Sequence, residues 1–263
     1  MLTFLERGYH RVPFKTGNTI PTVVEGVRQI LQFKQGAALT PWLRDKKTQK
    51  RDTGLTIRRG KGKDCKAYFQ FRPELRAILC TRGVVLTPAE DQWITACERL
   101  HEKCRRQVAR LISFLEKNPR LKKWGLLPRL QKMAEDHVLR ILIYTPVQGG
   151  KEVMAQAHSD KSGFTLQLEE AWPGYIAIRN GGRKMLEGLK NHALFFPGDK
   201  AEVATAMEIC ALVHEVIERR TDVKRERPGR WSVVFFAHLS LSKREFNLFE
   251  RLHETRMQML KAA

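Results

Sequence analysis

Long apolar runs are missing from this chain of 263 residues, and none approaches the roughly 18 consecutive apolar residues of a membrane-crossing helix. The opening MLTFLERGYHRVPF interrupts its apolar run with Glu6, Arg7 and His10, too early for a secretory leader. The expectation is a soluble protein, cytoplasmic and without a membrane partner. Cysteine is sparse as well. The five cysteines, Cys65, Cys80, Cys97, Cys104 and Cys210, form no CxxC pair and no even-numbered framework, which argues against a disulfide scaffold or a zinc-finger module and leaves reduced thiols that mostly pack. No run of Gly, Ser and Pro divides the chain, so the length is read as one domain over 1–263.

Acidic residues are also in deficit. Lys and Arg number 48 against 28 Asp and Glu, for a formal charge of +20, of which +17 falls on residues 1–150 and +3 on residues 151–263. The densest basic stretch is WLRDKKTQKRDTGLTIRRGKGKDCK, Trp42 to Lys66. Such a stretch suits phosphates, an anionic substrate or an acidic protein, and equally a solvated surface that keeps the protein soluble.

Thr87-Pro88-Ala89-Glu90 is a capping box with proline at the first helical position. Trp93, Cys97, Leu100, Cys104, Val108, Leu111 and Leu115 follow at spacings of three and four, and Asn118-Pro119 ends the run. This is a long amphipathic helix whose apolar stripe is core packing. A second helix is expected from Pro128 to about Val138. From Leu139 the period changes: ILIYTP, EVMAQAHSD, FTLQLEE, YIAIRN, ALFFPGD, AEVATA, CALVHEVIE and WSVVFFAHL read as short strands between Gly, Pro, Asn and Asp turns. Ser242-Lys243-Arg244-Glu245 opens a terminal helix. The expected fold is α+β with a mainly β core, a double-stranded β-helix (a cupin-like jelly roll) flanked by N- and C-terminal helices. Its parts are a basic supporting region at 1–138, a catalytic core at 139–240 and a C-terminal helix at 241–263.

Of the eight histidines only His158 is followed two residues later by a carboxylate, Asp160, at the end of an expected strand. Residues two apart on a strand share a face, so both side chains can serve one metal ion. A third ligand candidate is His214, in CALVHEVIE, which taken alone reads as a core histidine. A late strand returning beside an early one would close a 2-His-1-carboxylate face, a set that suits Fe(II). Arg230 and Ser232 are again two apart, opening the apolar strand RWSVVFFAH. A guanidinium beside a hydroxyl is suited to gripping a carboxylate at two points.

Together these segments resemble the Fe(II)- and 2-oxoglutarate-dependent oxygenases, and within them the isopenicillin N synthase-like branch. The matching runs are HSD at 158–160, FTLQLEE with Thr165, GYIAIRNGG, ALFFPGDKAEVAT with Gly198 and Asp199, HEV at 214–216 and RWSVVFFAH, with a fainter likeness in DTGLTIRRGKGKDCKAYFQFRPEL. Upstream, LRILIYTP is similar to the family's Arg-x-Asn-x-Tyr-Pro segment, which places Tyr144 at the family's co-substrate tyrosine. The resemblance implies Fe(II) on His158, Asp160 and His214, 2-oxoglutarate on Arg230, Ser232 and Tyr144, and O2 as second co-substrate. It implies hydroxylation or another oxidation of a C–H bond in a small molecule or peptide, anionic if the basic half has a say, with succinate and CO2 as co-products. Asp160 argues against a halogenase, where a small residue replaces the carboxylate. Leu142 stands where the family often has asparagine, Glu215 where it usually has arginine, and the loop at 218–229 is long and basic. Two alternatives stay open: an oxygenase acting on nucleic acid or another polyanion through the basic half, and an oxidase of the same fold that uses no 2-oxoglutarate.

Overall fold

A computed structural model describes residues 2–45, 52–58, 66–144, 153–171, 174–179, 182–186, 190–217 and 230–262. Their elements run α1 (Leu2–Arg7), β1 (His10–Pro13), α2 (Thr19–Phe33), α3 (Gly36–Leu39), β2 (Gly54–Arg58), β3 (Lys66–Phe71), α4 (Leu75–Thr81) and α5 (Pro88–Leu115). They continue through α6 (Pro119–Lys122), α7 (Leu126–Lys132), β4 (Val138–Tyr144), β5 (Val153–His158), β6 (Phe164–Glu170), β7 (Tyr175–Arg179) and β8 (Gly182–Met185). The last are β9 (His192–Pro197), α8 (Asp199–Ala204), β10 (Val213–Ile217), β11 (Trp231–Ala237) and α9 (Lys243–Ala262).

Two sheets result, one of seven strands in the order β1-β9-β6-β11-β4-β3-β2 and one of four in the order β5-β10-β7-β8. Every strand ladder among the described residues is antiparallel. The architecture is therefore mixed, with a mainly β core and helices outside it. The alternation of side chains along the central strands explains how one sheet serves two cores. On β4 and β11, Leu139, Ile141, Val233, Phe235 and Ala237 point to the helical side, where they join Val23, Val27, Trp93, Cys97 and Cys104 in one large cluster. Leu142, Tyr144 and Val234 point the other way and meet Met154, Ala155, Tyr175 and Val216 of the smaller sheet.

The long helix α5 begins as its sequence requires: Glu90 N donates to Thr87 Oγ1 at 3.3 Å and Thr87 N to Glu90 Oε2 at 2.8 Å. Such a cap contributes about 1 kcal/mol. Its buried stripe is the expected one with Ile94 and His101 added and with Ile112 in the place given to Leu111, which is only partly covered. Trp42, at the head of the basic stretch, is 1% exposed and packs its ring 5.9 Å from that of Trp93, so it belongs to the core and not to a charged surface. Most of the rest of that stretch, Cys65 and residues 218–229 lie outside the described residues. Cys97 and Cys104 are buried free thiols, while Cys80 and Cys210 are exposed.

Two expected elements are corrected. AEVATA is not a strand, because Asp199–Ala204 is helix α8; Ala201 and Ala204, three apart, pack into the large core cluster, and Asp199 and Glu202 sit in the first turn where the helix dipole favours acids. The second helix spans Leu126–Lys132, a 3-10 turn covers Ala134–Asp136, and Val138 already belongs to β4, whose pairing with β11 takes it from any helix. Strands β1, β2, β3 and β8 were not anticipated. β2 and β3 correspond to the fainter upstream likeness and extend the large sheet beyond β4. No helix of the described residues is long and apolar enough to cross a membrane.

Candidate metal centre and the cleft around it

His158 closes β5 and His214 lies on β10, and the antiparallel register sets the two directly opposite each other. Their rings stand 4.3 Å apart. Asp160, two residues past His158, presents Oδ1 at 3.9 Å from the Nε2 of each histidine. One ligand atom from each of the three residues lies within 4.8 Å of the others.

The hydrogen bonds behind these three side chains set their chemistry. His158 Nδ1 is 2.7 Å from Gln156 O and His214 Nδ1 is 3.2 Å from Leu212 O. A carbonyl only accepts, so Nδ1 carries the proton in both rings and the Nε2 lone pair faces Asp160. This is the tautomer that a metal-binding imidazole needs. Burial, with His158 as neighbour, lowers the His214 pKa to about 4, keeping the ring neutral near pH 7. On the carboxylate, Oδ2 accepts from Thr165 Oγ1 at 2.6 Å, which leaves Oδ1 for the histidine side.

The turn that carries Asp160 is held from outside the sheets. Asp199 N donates to Asp160 O at 2.8 Å, and a side chain on Gly198 would come within 2.6 Å of that same carbonyl, so glycine is what this approach allows. Asp199 itself is fully buried and accepts from Arg256 and, at 2.6 Å, pairs with His253 Nδ1, both on α9. Arg256 also reaches Ser159 Oγ at 3.4 Å. The terminal helix therefore buttresses the metal-candidate turn, a link that no spacing in the sequence announces.

A cleft enclosing about 520 Å³, open to solvent, runs from the triad to Arg230 and Ser232. Arg230 is 1% exposed. Its Nη2 donates to Glu170, its Nε and Nη1 are buried without a hydrogen-bond partner among the described residues, and its guanidinium lies 5.3 Å from the Tyr144 ring. Ser232 Oγ accepts from Gln167 Nε2 at 2.8 Å, so its own proton remains available to a ligand. Leu142, in the position of the missing asparagine, is buried and lines the cleft without a polar atom to offer. Glu215 points away from the triad and pairs with Arg183.

Three cleft residues escaped the sequence reading. Tyr175 stacks on His214 at 4.5 Å and 21°, with a buried hydroxyl that finds no partner. Arg140 lies between the Tyr68 and Phe236 rings at 5.0 and 4.6 Å. Glu170, whose pKa burial raises to about 7, sits against Arg230. Strand alternation from Tyr144 was a usable signal for Arg140; nothing comparable pointed to Glu170.

Leaving two guanidinium donors buried and unmatched costs on the order of 1–3 kcal/mol each. A carboxylate delivered by a ligand removes that cost, so the residues at this end fit the far end of a dicarboxylic keto acid, and the two imidazoles presenting Nε2 beside Asp160 fit a divalent transition metal. No family model matches the chain, and no curated protein matches its sequence. Solved structures do. A Shewanella oneidensis protein provisionally classed as an oxygenase superposes with a TM-score of 0.71 at 19% identity, covering 97% of this chain and 94% of its own. A Caulobacter crescentus protein of the 2OG-Fe(II) oxygenase family gives 0.69 at 17% identity, with 91% and 80% covered. A full-length Neurospora crassa protein in complex with 2-oxoglutarate gives 0.67 at 16% identity, with 96% and 88% covered. The fold of this chain is that of the 2-oxoglutarate- and Fe(II)-dependent oxygenases.

Proposed function

We propose that this protein is an Fe(II)- and 2-oxoglutarate-dependent dioxygenase that oxidises a C–H bond of a small molecule or peptide, most simply by hydroxylation, releasing succinate and CO2. The two sheets are read as the halves of a double-stranded β-helix, with β5 and β10 of one half holding the metal residues against β6, β11 and β4 of the other. The observation that carries the proposal is the pair of histidines locked as Nε2 donors around Asp160, in one cleft with a buried, under-bonded arginine.

In this reading His158, Asp160 and His214 are the metal ligands. Bound there, Fe(II) would supply, together with 2-oxoglutarate, the electrons that activate O2, the oxidant of the reaction. The chain's own residues do the rest. Arg230 and Ser232 hold the co-substrate's far carboxylate, with Tyr144 packed over the guanidinium, and Thr165 keeps Asp160 turned towards the metal. Tyr175 and Phe196 wall His214 from water. The Neurospora crassa protein has been crystallised with thymine and with 5-formyluracil, which supports a small-molecule substrate here.

The test is anaerobic addition of Fe(II) and 2-oxoglutarate to the purified protein. A weak visible charge-transfer band that vanishes in Asp160→Ala is expected, followed by substrate-stimulated succinate release in a metabolite and peptide screen. A well-folded wild type without the band overturns the reading. One observation favours a second reading, an oxidase that uses no 2-oxoglutarate: Glu170 already occupies one nitrogen of Arg230. Substrate turnover without succinate would select it.

A further inference from the structure

The cleft holds a second arginine that the function above leaves without a role. Arg140 sits on β4 opposite Val234, whereas Arg230 immediately precedes β11. Four positions of β11 separate the two, roughly 13 Å along the strand. One carboxylate cannot be anchored by both.

Arg140 is fixed in place. Its guanidinium lies between the rings of Tyr68 and Phe236, and both its Nε, at 3.2 Å, and its Nη2 donate to Gln70 Oε1 across the β3–β4 ladder. These contacts use the side edge of the fork and leave the end formed by Nη1 and the second Nη2 proton for a ligand. Burial holds its proton affinity below the usual arginine range. Among the described residues it forms no ion pair with any carboxylate. Asp160 is the acid whose field reaches it, and a divalent cation on Asp160 cancels that field. A half-buried cation that forms no ion pair among the described residues is poised to take an anion, and a fork held between two rings is preorganised for a planar one.

We propose that Arg140 is the substrate anchor of this cleft and that the substrate is a small carboxylic acid, its carboxylate held end-on by Arg140 and its body reaching towards the triad. The proposal rests on the oxygenase reading for its chemistry. It also accounts for the aromatic frame: Tyr68, Phe236 and the leucine at 142 offer an apolar body little but contact, and of the basic groups near them, Arg58 on the far strand β2 at 5.4 Å from the Tyr68 ring and Lys66 at the cleft wall, Arg140 is the one held between both rings.

The experiment uses the full chain loaded with Mn(II) and saturated with 2-oxoglutarate, without O2. Benzoate, phenylacetate and hexanoate are titrated against their primary amides by ligand-observed NMR and thermal shift. The acids are expected to bind about tenfold or more tightly than the amides, the fold-change of one charge-assisted bidentate contact. Arg140→Gln is expected to erase that preference and Arg140→Lys, the control for folding, to keep part of it, with the affinity for 2-oxoglutarate unchanged within about twofold in both. Acids that bind no better than amides overturn the proposal, as does a preference that survives in Arg140→Gln. A loss of 2-oxoglutarate affinity in Arg140→Gln also overturns it, by assigning the arginine to the co-substrate. A wild type that fails to bind 2-oxoglutarate yet selects acids through Arg140 retires the oxygenase reading and retains the anion site; the reverse pattern retains the oxygenase and retires the anchor.

Discussion

Glu170 and Arg230 face each other at the closed end of the cleft, carboxylate to guanidinium, and each is there because of a break in the pattern around it. Arg230 precedes the first residue of β11. Glu170 reaches the cleft through an irregularity in the β6–β11 ladder, where Val234 pairs with Gln167 but Val233 with Glu169. Thr165 and Gln167 line the cleft, so strict alternation would have put Glu169 there; the bulge advances the register by one and puts Glu170 opposite Ser232 instead.

This pair predicts a pH-dependent co-substrate affinity. The Glu170 pKa, raised by burial to about 7, leaves the acid largely neutral below that pH and ionised above it. The ionised form competes with 2-oxoglutarate for Arg230, so affinity should weaken as pH rises from 6 to 8. Glu170→Gln should flatten the profile and bind about tenfold more tightly at pH 8. Titration of the charge-transfer band at each pH reads both quantities, and an identical profile in wild type and variant would remove the competition.

Metal binding should stabilise the folded chain by mass action, by about 2.7 kcal/mol at a hundredfold excess over Kd. Thermal unfolding with and without Mn(II) is the measurement. Asp160→Ala and His214→Ala should each lose most of the shift, and a full shift in either variant would place the metal elsewhere.

Acid should unfold this protein partly through His137. That ring is 1% exposed, its Nδ1 accepts from His238 N at 3.2 Å, and burial with His101 nearby lowers its pKa to about 3. A depressed histidine contributes stability that is present above its unfolded pKa near 6.5 and lost as pH falls towards 3, here on the order of several kcal/mol. Glu170, with a raised pKa, acts oppositely: its contribution is present below about 4.5 and lost as pH rises to about 7. Denaturant unfolding of His137→Asn, which keeps an acceptor and cannot ionise, should show a shallower loss between pH 6 and 4 than wild type. Equal slopes would clear His137 of this role.

Helix packing offers a fourth test. A β-carbon on Gly26 of α2 would stand 2.1 Å from Cδ1 of Trp93, whose Nε1 donates to Val23 O at 3.0 Å. Gly26→Ala should destabilise by about 1–3 kcal/mol although alanine is the better helix former. An unchanged or raised Tm in differential scanning calorimetry would show that the indole moves aside freely.

The helices α5 and α9 were legible because capping residues and three-and-four spacing are local, and local hydrogen bonds enforce them. The core strands from β4 to β11, β8 excepted, were legible for the same reason, at period two. AEVATA was not, since six residues with mixed apolar and polar positions satisfy either period and only the packing of Ala201 and Ala204 chose helix. β1 to β3 were hidden by their shortness and by the charges around them.

The sequence by itself determined the long helices, most core strands, and the His-x-Asp and Arg-x-Ser pairs at the end of β5 and the start of β11, because each depends on local spacing along the chain. Tertiary structure decided the rest. It set His214 across from His158 through the β5–β10 register, turned Glu170 inward through a bulge, fastened Asp199 under α9 and placed Arg140 in the cleft between two rings, with no ion pair among the described residues. Register and bulges arise from pairings between residues far apart in the chain, and whether a charge meets a partner is settled only when distant strands close on one cavity.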